Sequence, residues 1–123
     1  MKNNKHSNKE FGNELEKRTR IFAGKIIDYS ASLPSTPESR VVRMQLTKAG
    51  TSIGANYREA NRGRSRADFK NKICIAEAEA SETRYWLEII RDTDWINKAD
   101  DIWIYNECCE LLAIFTSIGK GLQ

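Results

Sequence analysis

Apolar positions recur in steps of three and four along most of this chain. The clearest run begins at Phe69 and continues through Ile73, Ala76, Ala80, Thr83, Leu87 and Ile90. That spacing draws one stripe down one face of a helix, as bundle packing requires. Leu15, Phe22, Ile26, Tyr29 and Leu33 make an earlier stripe, and Val42, Leu46, Ala49, Ile53, Tyr57 and Ala60 the next. A last stripe holds Ile104, Cys108, Leu111, Phe115 and Ile118. Four amphipathic helices with short connections predict an all-α fold, an antiparallel up-down-up-down four-helix bundle. The bundle is expected to occupy residues 13–123, after a polar, flexible tail at 1–12 that carries the single histidine, His6.

The ends of these stripes carry start and stop signals. Asn13 with Glu16 three residues on reads as a capping box for the first helix, which stops before Pro34. Thr36 followed by Pro37 opens the second helix, because a missing N–H costs nothing in the first turn. Ser65 with Asp68 opens the third, which runs without a breaker to about Asp92. The fourth is expected near Ala99 or Asp100, after Trp95–Lys98, and ends at Gly119 and Gly121. Gly50 and Gly54 interrupt the second helix at about 1 kcal/mol each, which predicts close approach of a neighbouring helix there.

Charge is uneven over the 123 residues. The net charge is +3, yet residues 1–72 hold 16 Lys and Arg against 7 acids, and residues 73–123 hold 4 against 10. In an up-down bundle Arg58, Arg62, Arg64 and Arg66 fall at the same end as Lys17, Arg18 and Arg20. Glu38, Glu88, Asp92, Asp94, Asp100 and Asp101 gather at the other. The positive end of the third helix dipole adds to the basic pole, which makes these seven residues candidate phosphate contacts for RNA or DNA. A charged face kept for solubility competes with that reading.

No other chemistry is legible. Glu77, Glu79 and Glu82 lack the histidines of a carboxylate di-iron site, and Ser52, Ser65 and Ser81 lack a partner base. No glycine-rich loop follows a strand. The expectation is therefore no enzyme, no metal and no cofactor. Three cysteines without a C-x-x-C read as small thiols in a reducing compartment, and no segment has the roughly 20 apolar residues of a membrane span. The N-terminus has no apolar h-region, so a cytoplasmic protein is expected. Tyr85, Trp86, Ile89, Trp103, Leu112 and Ile114 flank the core stripes of the third and fourth helices. They are candidates for a homo-oligomer interface, with a wider monomer core as the alternative.

The block GTSIGANYREA, the pattern S-x-x-DF-x-x-K (Ser65, Asp68, Phe69, Lys72) and ETRYWL resemble the bacterial 23S rRNA intervening-sequence proteins, formerly called S23 ribosomal proteins. The resemblance covers roughly residues 20–120 and implies a homopentameric barrel of four-helix bundles. A related branch is the accessory variability protein of diversity-generating retroelements, which binds nucleic acid beside a reverse transcriptase. The leading expectation is a non-enzymatic oligomer that binds RNA or DNA through its basic pole. The alternative is a protein-interaction scaffold or accessory subunit without nucleic-acid contact of its own, with a nucleic-acid-processing protein as a candidate partner. The resemblance supplies no catalytic residue.

Overall fold

Side chains set two of the helix starts. The Asp68 N–H donates to Ser65 Oγ at 3.0 Å, and the Ser39 N–H to Thr36 Oγ1 at 3.2 Å, each satisfying a donor that has no partner inside its helix. The computed structural model describes the backbone of residues 2–123 and the side chains of residues 8–123. Its helices are α1 (Lys2–Ala31), α2 (Pro37–Asn61), α3 (Arg66–Arg91) and α4 (Ile102–Gly121). They form the expected four-helix bundle.

Two boundaries differ from expectation. α1 begins at Lys2, so Asn13 is not its N-cap and residues 2–12 are continuous with the helix. Nothing between Lys2 and Asn13 breaks a helix except Gly12, whose cost relative to alanine is only about 1 kcal/mol. Glu16 accordingly does not close a capping box; its Oε2 accepts from Asn61 Nδ2 on α2 at 2.8 Å. The His6 side chain lies outside the described residues. α4 is preceded by a 3-10 turn, Lys98–Asp101, capped by Asn97 Oδ1 accepting from the Ala99 N–H at 3.3 Å. The α-helix itself starts only at Ile102.

The apolar stripes meet in the middle. Phe22, Ile26, Leu46, Ile53, Ile73, Leu87, Ile90, Leu111 and Phe115 are fully buried, and Tyr57 meets Phe115 edge-on at 5.4 Å between ring centroids. Each such aliphatic side chain contributes roughly 1.5–3 kcal/mol through burial. α2 packs broadly on both α1 and α3, whereas α4 leans mainly on α3. Gly50 and Gly54 explain the closeness of α1 and α2. A Cβ at Gly50 would lie 2.8 Å from Ile26 Cγ2, and one at Gly54 would lie 2.8 Å from Thr19 Oγ1. Thr19 is itself buried, its hydroxyl donating to the Leu15 carbonyl at 2.9 Å. Ser30 ties the same pair of helices, accepting from Thr47 Oγ1 at 3.0 Å and donating to the Arg43 carbonyl at 3.3 Å.

Candidate nucleic-acid interface

The antiparallel order brings the N-terminal half of α1, the C-terminal turn of α2 and the first turn of α3 to one end. The α2–α3 connection is tight: the Gly63 N–H donates to the Ala60 carbonyl at 3.1 Å, and α3 starts at Arg66. Arg62, Arg64 and Arg66 are therefore held within a single turn and are exposed. Arg58 sits one helical turn earlier on α2, also exposed. From α1, Lys17 and Arg20 line a groove against α2 that Arg58 also lines. Among the described residues, none of Lys17, Arg20, Arg58, Arg64 and Arg66 has a carboxylate partner.

Two of the seven candidates are engaged within the molecule. Arg18 turns across to α4, where its Nε and Nη2 donate to the two carboxylate oxygens of Glu107 at 2.7 Å each, with Glu110 at 3.2 Å. That forked bond holds the Arg18 guanidinium protonated more firmly than usual, burial opposing it only in part. Arg18 thus pins α1 to α4 and is no free phosphate contact. Arg62 lies 3.7 Å from Glu16 Oε1 and donates to the Arg58 carbonyl at 3.2 Å. It remains mostly solvated, and a distant pair of this kind contributes little.

A family model described as 23S rRNA-intervening sequence protein matches residues 5–117. The chain belongs to this family. Among solved structures it is similar to a crystal structure of a protein of unknown function from the S23 ribosomal protein family of Bacteroides thetaiotaomicron. The two share 38% identity and a TM-score of 0.81, over 89% of this chain and 97% of the other. No curated protein matches the chain.

Of the six expected at an oligomer interface, Trp86, Leu112 and Ile114 pack partly against the chain's own core. Ile89 is half-buried. Tyr85 and Trp103 are 55% and 52% exposed, and Ile102, not singled out from the sequence, is 54% exposed next to Trp103 in the chain. Tyr85 meets Trp86 edge-on at 5.2 Å. On α1 and α2, Ile27, Val41 and Met44 are also exposed, a feature the core stripes alone gave no reason to expect.

The acidic end is built differently. Asp101 is fully buried, and its Oδ2 accepts from Arg91 Nε at 2.7 Å. The Arg91 guanidinium lies 3.6 Å over the Tyr105 ring, a cation–π contact. The Tyr105 hydroxyl donates to Glu88 Oε2 at 3.0 Å; that bond, with burial next, pushes its pKa up to about 12. Asp101 Oδ1 and the Tyr29 hydroxyl are buried without a hydrogen-bond partner among the described residues. Burial, followed by the nearby Asp101 charge, keeps the Tyr29 hydroxyl protonated well above the usual range.

The glutamates of α3 remain a charged face. Burial followed by the Glu82 charge raises the Glu79 pKa, which Lys48 partly offsets. Among the described residues no group of three or more His, Cys, Asp or Glu is gathered as a metal ion requires. Among those residues too, no helix is long and apolar enough to cross a membrane.

Proposed function

We propose that this protein is a non-enzymatic helical bundle that binds RNA or DNA through its basic end. The observation that carries this reading is the set Lys17, Arg20, Arg58, Arg64 and Arg66, cations from three helices brought to one end with no carboxylate partner among the described residues. Such a surface contacts phosphates and does not read bases, so binding is indifferent to sequence and falls with salt. Fluorescence anisotropy with long RNA and DNA of unrelated sequence tests it at low ionic strength. Similar affinities that drop steeply as salt is added are expected. Absence of binding at low salt would leave the scaffold role.

Self-association belongs to the same proposal. The Cys108 thiol donates to the Ala80 carbonyl across the antiparallel α3–α4 pair. Tyr85, five residues after Ala80, and Trp103, five before Cys108, therefore stand at the same level of that pair. Two exposed aromatics at one level are the material of an interface core. Light scattering coupled to size exclusion should give a mass several times 14.1 kDa, five-fold if the assembly is the pentamer that the family resemblance implies. A monomer at micromolar concentration would contradict this part.

A further inference from the structure

Where α1 and α2 come together at Gly54 they leave an open trench of about 390 Å³. Side-chain size makes it: Ala23 on one wall and Thr51 and Ala55 on the other leave space that larger residues would fill. The Thr51 hydroxyl is already satisfied within its own helix, donating to the Thr47 carbonyl at 2.7 Å. Lys17, Arg20 and Arg58 line the trench, none with a carboxylate partner among the described residues. The one carboxylate in the lining, Glu16, accepts from Asn61 at one oxygen and lies 3.7 Å from the Arg62 guanidinium at the other.

These features select among anionic ligands. The volume falls within the roughly 300–1,000 Å³ of small-ligand sites. The lining contains no aromatic ring, so a base has nothing to stack on. Small apolar walls with three cations suit a sugar and its phosphates instead. Packed helices lie about 8–10 Å apart, so a single strand can settle between their outer faces while a duplex rests on the rim. We propose that the trench seats the phosphodiester backbone of single-stranded nucleic acid, with Lys17, Arg20 and Arg58 as the phosphate contacts and the small-residue walls against the sugar. The assignment rests on the nucleic-acid reading above and adds a preference for single strands.

Ala55→Trp fills the trench at an exposed position without changing charge. Fluorescence anisotropy with a single-stranded oligothymidylate and a duplex of equal length reads the effect, after circular dichroism confirms unchanged helicity. Affinity for the single strand should fall about tenfold, the loss of one charge-assisted contact, while duplex affinity holds. The double variant Arg20→Gln/Arg58→Gln, at two exposed positions, gives an independent reading should the tryptophan disturb the helix. It must weaken single-strand binding more than duplex binding. Equal losses for both ligands, or no loss for either, would overturn the trench while leaving the basic end as a general phosphate surface. Failure of the unmodified protein to bind either oligonucleotide would overturn the nucleic-acid reading and the trench with it.

Discussion

Two charged clusters at opposite ends of the bundle use the same chemistry in opposite ways. At one end, Asp101 is buried and bonded to Arg91, which stacks on Tyr105, which in turn holds Glu88. Every link is made within the chain, and the cluster fastens the turn before α4 to the end of α3. At the other end, Lys17, Arg20, Arg58, Arg64 and Arg66 have no carboxylate partner among the described residues. Charge that is neutralised internally supports the fold, whereas charge left in solvent is available to a partner. A sequence count of acids and bases does not separate these cases; only the pairing does.

The largest effect should come from the first cluster. Arg91→Ala leaves the buried Asp101 carboxylate without its partner, and breaking such a pair costs about 3–5 kcal/mol. Solvent reaching the partly exposed Arg91 places the expected loss near the low end, about 3 kcal/mol in urea unfolding. Arg91→Ala/Asp101→Asn should recover part of it, because the amide carries no charge to strand. A loss below about 0.5 kcal/mol would mean that Asp101 is not held as described.

Arg18 and Arg20 sharpen the comparison within a single helix. Arg18→Gln removes the forked bond to Glu107, whose side chain is only 11% exposed, and should cost about 1–2 kcal/mol. Arg20→Gln, two residues on, should change stability by no more than about 0.5 kcal/mol. Equal effects on stability would erase the distinction between spent and available charge.

A smaller effect is expected at alkaline pH. Burial, then the neighbouring Cys109, pushes the Cys108 thiol up to about 12, and Tyr29 and Tyr105 are raised as well. A group whose pKa is raised by folding keeps its proton more tightly in the folded state. Its contribution is complete below the unfolded value, about 8.5 for a thiol and 10 for tyrosine, and is lost as pH climbs through the folded value. Thermal stability should therefore hold to about pH 8 and decline from there towards pH 12. A stability flat across that range would contradict the burial of these groups.

The stripes made most of the fold legible. Every stripe residue from Ile73 to Ile90 is buried, and the caps at Thr36 and Ser65 and the close approach at Gly50 and Gly54 are where spacing placed them. Thr19 was missed although it fills the gap between Leu15 and Phe22 at the right interval, because its polarity hid a hydroxyl satisfied by its own helix. The start of α1 was missed because a polar segment without a breaker can continue a helix as readily as fray. Asp101 counted as surface charge until packing buried it. The basic end was legible as a cluster, but the loss of Arg18 from it was not. Its partner lies 89 residues away on α4, and no local spacing encodes that meeting.

The measurement closest to the central claim is the salt dependence of single-strand binding for the unmodified protein and for Arg58→Gln/Arg64→Gln/Arg66→Gln. Each phosphate neutralised contributes about −0.7 to the slope of log K against log salt, so three lost contacts should flatten the slope by about 2. Urea unfolding should be unchanged to within about 0.5 kcal/mol, since none of the three arginines has a carboxylate partner among the described residues. A flattened slope with intact stability is the result predicted by charge left available for a phosphate partner. An unchanged slope, or a stability loss as large as that of Arg18→Gln, would contradict it.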